Sequence, residues 1–361
     1  MVSASGPFTP SAFVLTLALS CGSSHASPNP PAHDYWVYVV CESADTVQRV
    51  RFGPEGAQVD REVGVGLMPV DIDGPHGVDV SADKRFYYVS LAHGRPFGSL
   101  WKYRTVDDSV VGRVDLGMFP ATLQVSRDDN FVFTVNFNLH GDRVPSSVSV
   151  VATDEMAEVA RIPTCTMPHG SRINPQGTKH YSVCMMDDTL VEIDTSALDV
   201  SRTLALAEGT GGEPVCSPTW AEPSSDGTFV YVACNRSDEI VEIDTRSWRV
   251  NRRLPAGAGV YNLATTGDDR LLATNKRGQS VSVFELPTGK ELARIPTRRQ
   301  VVHGVAVAPD DRYAFVSVEG VGTEPGTVEV IDLDTLETVA TVDVGSQAAG
   351  IAFWKTSGNV P

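Results

Sequence analysis

At 361 residues and 42% apolar composition the chain can bury a large core, and its length alone would allow two or three domains. Asp and Glu (45) outnumber Lys and Arg (29), the formal net charge is −16 and no basic cluster occurs, so a phosphate backbone is repelled and nucleic acid is excluded as a partner. Charges of both signs are interspersed, as on an ordinary solvated surface.

The first feature along the chain is the apolar run from Ala12 to Leu19, AFVLTLAL. It is far too short for a bilayer-spanning helix of about 20 residues and reads as the h-region of an export signal. Cys21 follows directly and opens CGSS, which resembles a bacterial lipoprotein signal, where that cysteine is lipidated. Ala18-Leu19-Ser20 departs from the usual box, and cleavage after Ser24-His25-Ala26 is the alternative. No Lys or Arg precedes the h-region, which is compatible with a start upstream of Met1. Residues 1–21 are thus expected to be an export signal, possessing a lipidation site at Cys21, and residues 22–34, with SPNPP, a flexible tether.

From Tyr35 onward the chain repeats itself every 42 to 50 residues, the period of a four-stranded propeller blade. Each unit reads as inner strand, Asp-rich turn, second strand, loop, third strand, turn and fourth strand. The first halves begin at Pro75 (PHGVDVSADKRFYYVS), Pro120 (PATLQVSRDDNFVFTV), Pro168 (PHGSRINPQGTKHYSV), Pro218 (PTWAEPSSDGTFVYVA), Val260 (VYNLATTGDDRLLATN) and Val302 (VHGVAVAPDDRYAFVS). Second halves such as VEIDTSALDV, VEIDTRSWRV, VSVFELPTGK and VEVIDLDTLE alternate as a strand and then turn. A seventh unit is split. AAGIAFWK (Ala348 to Lys355) is an inner strand with nothing after it, and YWVYVVCESADTVQRV (Tyr35 to Val50) holds a second and third strand with nothing before them. The expected fold is therefore all-β: one seven-bladed β-propeller over residues 35–355, with four-stranded antiparallel blades, closed by the C-terminal strand completing blade one and followed by a tail at 356–361.

PHGVDVSADKRFYYVS and VHGVAVAPDDRYAFVS resemble the unit of YVTN-type propeller repeats, found in exported bacterial and archaeal surface proteins, and the resemblance covers Tyr35 to Lys355. Blades four, five and six diverge more. The resemblance implies an exported or cell-surface propeller but no particular reaction, since related propellers serve as lactonases, lyases, metalloenzymes and binding scaffolds.

In a blade, the start of strand one and the end of strand two share a face of the disc. The inner-strand starts therefore ring the channel mouth with one residue per blade: His76, Ala121, His169, Thr219, Tyr261, His303 and Ala349. Imidazoles converging on a mouth can bind copper or zinc, or act as acid and base. His-Gly can equally be a common variant at the head of this repeat, each ring bonded locally to backbone. His93, His140, Met167, Met185 and Met186 fall near the same face, as adaptable packing or as added ligands. Glu319 ends the second strand of blade seven and is the carboxylate expected near His303, while Arg172 either meets an anionic ligand or pairs with a neighbouring blade.

Four cysteines form two equivalent pairs, Cys165 with Cys184 and Cys216 with Cys234, which read as disulfides stapling an entering loop to its own blade. Cys41 has no cysteine opposite and is either an inert buried thiol or a soft ligand beside His76. Asp83, Asp226, Asp268 and Asp310 recur in the turn after the inner strand, where Asp caps its own backbone. No Gly-x-Ser-x-Gly, His-Glu-x-x-His, Walker or Cys-x-x-Cys-His motif occurs. The expectation is a monomeric, periplasmic or cell-surface binding module for a small molecule or a protein, meeting the membrane only through a lipid anchor. A copper-containing, less readily zinc-containing, metalloprotein on His76, His169 and His303 is the second reading, and a lactonase-like or lyase-like activity the third.

Overall fold

The computed structural model describes Met1 and residues 30–67, 72–93, 98–207 and 213–357. Seven four-stranded antiparallel sheets make up the chain, and a single turn of 3-10 helix at Glu42–Ala44 is the helical element among the described residues. Each inner strand packs on the inner strand of the next blade, and that of blade seven on that of blade one, so the seven sheets form a closed ring.

Blade one is assembled from both ends of the chain. Its inner strand is Ala348–Thr356, hydrogen-bonded to Tyr35–Cys41, which pairs with Thr46–Gly53 and then Gly56–Gly64. The register runs from Tyr35 opposite Thr356 to Cys41 opposite Ala348. The amide of Ser357 donates to the Asp34 carbonyl (2.7 Å) and the amide of Asp34 to Ser357 Oγ (2.8 Å), which extends the seam by one step. Both strands would otherwise present unpaired edges, so opening the ring exposes two rows of backbone donors and acceptors at once.

The second and third strands are buried along nearly their whole length, as in Phe131–Asn136 and Gly326–Asp332, so each sheet is covered on both faces and the core is a set of layers between neighbouring blades. Between blades seven and one it holds Tyr35, Val37, Phe52, Phe315 and Val328, and equivalent clusters fill the other six gaps. A fully buried side chain such as Phe315 contributes about 1.5–3 kcal/mol. Near the channel the blades approach so closely that a side chain cannot always fit. A Cβ on Gly77 would lie 2.2 Å from the Ala121 carbonyl oxygen, and one on Gly170 2.2 Å from that of Thr219. This is the physical reason the His-Gly dipeptide heads these blades: the glycine admits the next blade while the histidine turns into the channel.

The turn aspartates sit on the opposite face from those histidines. Ser81 and Ser224 hydroxyls donate to Asp83 and Asp226 at 2.7 Å each, and the Arg312 amide donates to Asp310, so these carboxylates tie off their own turns. The two cysteine pairs are disulfides, Cys165–Cys184 and Cys216–Cys234, closing 19 and 18 residues of chain. They fit an exported protein. Among the described residues no helix is long and apolar enough to cross a membrane. Residues 2–29, with the expected signal and Cys21, lie outside the described residues.

Candidate functional site

Each inner strand carries a β-bulge at its mouth end, between Pro75 and Gly77 in blade two, Pro168 and Ser171 in blade four and Val302 and Val305 in blade seven. A bulge re-aims the residue it contains, and here it swings His76, His169 and His303 over the channel. Despite standing two or three blades apart, their rings meet. Centroids of His76 and His303 are 5.5 Å apart and those of His76 and His169 6.4 Å apart. Tyr261 stands between His169 (5.4 Å) and His303 (4.9 Å).

Two further aromatic rings close the circle. Phe137 lies 4.7 Å from His169 and 5.7 Å from Phe119, and Phe119 lies 5.4 Å from His76. The result is a continuous circuit, Phe119, His76, His303, Tyr261, His169, Phe137 and back, drawn together where His76 meets His169, and it lines a cavity of about 180 Å³ with Glu42, Lys276, Glu319, Met185, Leu139 and Gln347. Phe119 holds its place with φ of +52°, left-handed backbone that a bulky residue adopts at a cost of about 1–3 kcal/mol.

The hydrogen bonds fix most of the protons. Burial works against the Glu42 charge, but His76 and His93 outweigh it and bring its pKa down to about 2, so it is a carboxylate. A carboxylate only accepts, and therefore His76 Nδ1 donates to Glu42 Oε2 (2.7 Å) and His93 Nε2 to Oε1 (2.7 Å). The bond from Glu42 holds His93 above the ordinary imidazole pKa despite partial burial. His169 is the opposite case: complete burial pushes it down to about 3, so it is neutral. Its Nδ1 donates to the Thr219 carbonyl (2.8 Å), its Nε2 must accept, and the Tyr261 hydroxyl is the donor (3.0 Å). His303 is also neutral, driven well below its usual pKa by burial and by Lys276. The backbone acceptor it faces is Ala349, in the next blade, without full hydrogen-bond geometry, and its Nε2 lies 4.0 Å from Glu319 Oε1, too far for a hydrogen bond. Lys276 Nζ sits 3.1 Å from Glu319 Oε1 and 4.4 Å from the centre of the Tyr261 ring.

Five of the six expected face residues thus meet at one cavity: His76, His169, His303, Tyr261 and Glu319. Arg172 does not. It lies below the histidines, lining a chamber of about 30 Å³, stacked 4.4 Å over Trp220 and 3.6 Å from Glu222 of the neighbouring blade. Met185 reaches the cavity, Met167 packs against the Phe119 and Phe137 cluster, and His140 meets Phe119 edge to face (5.4 Å) and lies tilted against His93 (5.9 Å). Cys41 is buried with its thiol pushed up to about 12 by desolvation, which makes it inert rather than a soft ligand. For a metal, His76 Nε2 is unspent, whereas a third imidazole ligand would require His169 to give up Thr219 or Tyr261. Among the described residues no group of three or more His, Cys, Asp or Glu side chains is placed to hold an ion.

Glu42, Phe137 and Lys276 escape a reading restricted to strand starts, yet they share one register. They stand with Met185 and Glu319 one residue beyond the strand-two partner of each blade's first inner residue, as Cys41, Asn136, Cys184, Asn275 and Val318 define it. This second ring of mouth residues is visible in the aligned repeats once strand two is read past its end.

No family model matches the chain, and no curated protein matches it in sequence. Solved structures do. The chain is similar to Kuenenia stuttgartiensis hydrazine synthase at 20% identity and a TM-score of 0.66, covering 80% of this chain and 92% of that one. It is also similar to a functionally unknown protein from Desulfotomaculum acetoxidans at 15% identity and a TM-score of 0.68, covering 88% and 98%. At such identities the likeness shows the seven-bladed β-propeller fold and nothing of the activity.

Proposed function

We propose that this is an exported propeller of YVTN type that acts as a binding module, taking a small ligand into the channel mouth. The observation that carries the reading is the closed circuit of six aromatic rings lining a cavity of about 180 Å³. Convergent polar groups in a preformed, largely aromatic recess are what small-molecule sites share. The mutual hydrogen bond of His169 and Tyr261 supports positioning over proton transfer, because each group's mobile proton is already committed. Saturation-transfer NMR with a library of small fragments tests it: hits are expected that vanish in Tyr261→Ala, and a library with no such hits would overturn the reading.

The two disulfides support export, and the lipoprotein-like CGSS supports an anchor at Cys21. Tyr35 lies on the turn face, its hydroxyl donating to Asp310 (2.7 Å), so a tether leaving there would hold the mouth away from the membrane. Intact-mass spectrometry of membrane-extracted protein would show a lipid on Cys21, absent in Cys21→Ser. A second reading, copper ahead of zinc, is favoured by the proximity of His76 and His303. Elemental analysis of chelator-free protein tests it, and metal retained in a His76→Ala/His303→Ala variant would sink it.

A further inference from the structure

Resting on the binding reading above, the chemistry of the mouth points to one class of ligand. We infer that the cavity is a seat for a small organic ammonium ion, recognised by the aromatic circuit and the Glu319 carboxylate.

Three independent features of the wall lead there. The first is the ring lining: Tyr261, Phe119 and Phe137 border the cavity, and an aromatic ring attracts a cation over its face. The second is charge: Glu42 is taken up by His76 and His93, which leaves Glu319, held on one oxygen by Lys276, as the carboxylate that faces a ligand, on a chain of net charge −16 whose field draws cations inward. The third is an ammonium already at the cavity's edge. Lys276 Nζ takes up one carboxylate oxygen of Glu319 at 3.1 Å and one ring face, Tyr261, at 4.4 Å. Burial disfavours its charge, yet Tyr261 and Glu319 raise its pKa overall, so the wall stabilises a cation where it can be seen to hold one.

What Lys276 leaves unspent is a larger seat than it fills. Among the described residues the second Glu319 oxygen has no protein partner, and a carboxylate oxygen only accepts. An incoming ammonium would therefore meet carboxylate charge that the protein does not use up itself, with Lys276 as its competitor.

The test uses three probes of one shape and different charge: tetramethylammonium, tert-butanol and trimethylacetate, titrated into the full-length protein and followed by saturation-transfer NMR and calorimetry. Tetramethylammonium is expected to bind at millimolar concentration and the others not. Glu319→Gln is isosteric and should weaken it about tenfold, and Lys276→Met, which removes the competitor and keeps the aliphatic stem, should tighten it several-fold. Thermal melts of each variant separate lost recognition from lost folding. Preference for trimethylacetate or tert-butanol would overturn the ammonium assignment and leave the binding pocket standing. Failure of all three probes would overturn both, and weaker binding in Lys276→Met would overturn the assignment by making the lysine an anion anchor.

Discussion

The channel has two polar layers with opposite economies. Three residues below the mouth, the inner strands present Asp79, Gln124, Arg172 and Glu222, and their polar atoms are spent within the fold, on the neighbouring blade or on their own strand. Asp79 Oδ2 accepts from the Val125 amide (2.9 Å), Gln124 Oε1 from the Ile173 amide (2.6 Å), and Glu222 faces Arg172 while accepting from the Trp220 indole (3.3 Å). The mouth layer also holds polar side chains, but among the described residues His76 Nε2 and the second oxygen of Glu319 have no protein partner. Polar groups whose bonds are complete within the fold belong to the structure, and groups kept in place with capacity left over are available to a ligand. Position in the channel does not separate the two; hydrogen-bond accounting does.

The largest expected effect concerns acid. His169 and His180 have pKa values near 3 and His303 lies well below its usual 6.5, all because burial excludes the charged form. Below pH 6.5 the unfolded chain takes up these protons and the folded one does not, so stability falls with falling pH until about pH 3. Each group costs up to about 1.4 kcal/mol per pH unit, about 4 kcal/mol for the three. Glu42, held near 2, adds a loss of the same sign below its ordinary 4.5. His180 touches no ligand surface: it stacks 5.0 Å from Phe133 with both ring nitrogens unpaired. Denaturant titrations between pH 7 and 4 should show His180→Phe losing about a third of the slope. An unchanged slope would mean that the imidazole is solvated in the folded state.

Reduction should come next. Opening either disulfide releases a loop of 18 or 19 residues, worth about 3 kcal/mol by loop closure. A Cys216→Ala/Cys234→Ala variant should lower the melting temperature while its ligand binding, measured below the melt, stays intact, since neither cysteine lines the cavity.

The lower layer is expected to respond only in stability. Asp79→Leu strands the Val125 amide and should cost about 1–3 kcal/mol, whereas Asp79→Asn keeps an acceptor and should cost less than half of that. Binding at the mouth by either variant should match the parent. A change in affinity would show that the two layers are coupled, which would blur the distinction drawn above.

Smallest is Tyr261→Phe. It removes the hydroxyl that donates to His169 Nε2 but keeps the ring face, so stability should fall by about 1 kcal/mol with affinity nearly unchanged. Tyr261→Ala, by contrast, should lose binding, and equal losses in the two variants would make the hydroxyl the recognising group.

The sequence by itself determined the architecture, because a propeller blade is a local object. Alternation, Asp turns and the repeat period are set within some 45 contiguous residues, and even the split blade is readable, since AAGIAFWK and YWVYVVC are complementary fragments of a known unit. It also placed His76, His169, Tyr261 and His303 on one ring, because a fixed register in each blade maps to a fixed height in the channel. What it could not decide was how they use their atoms. That Glu42 bridges His76 and His93, that Tyr261 completes His169, and that Arg172 belongs to the layer below are relations between blades up to 92 residues apart in sequence. Only ring closure sets those distances, and they separate the Nε2 of His169, 3.0 Å from the Tyr261 hydroxyl, from that of His303, 4.0 Å from Glu319.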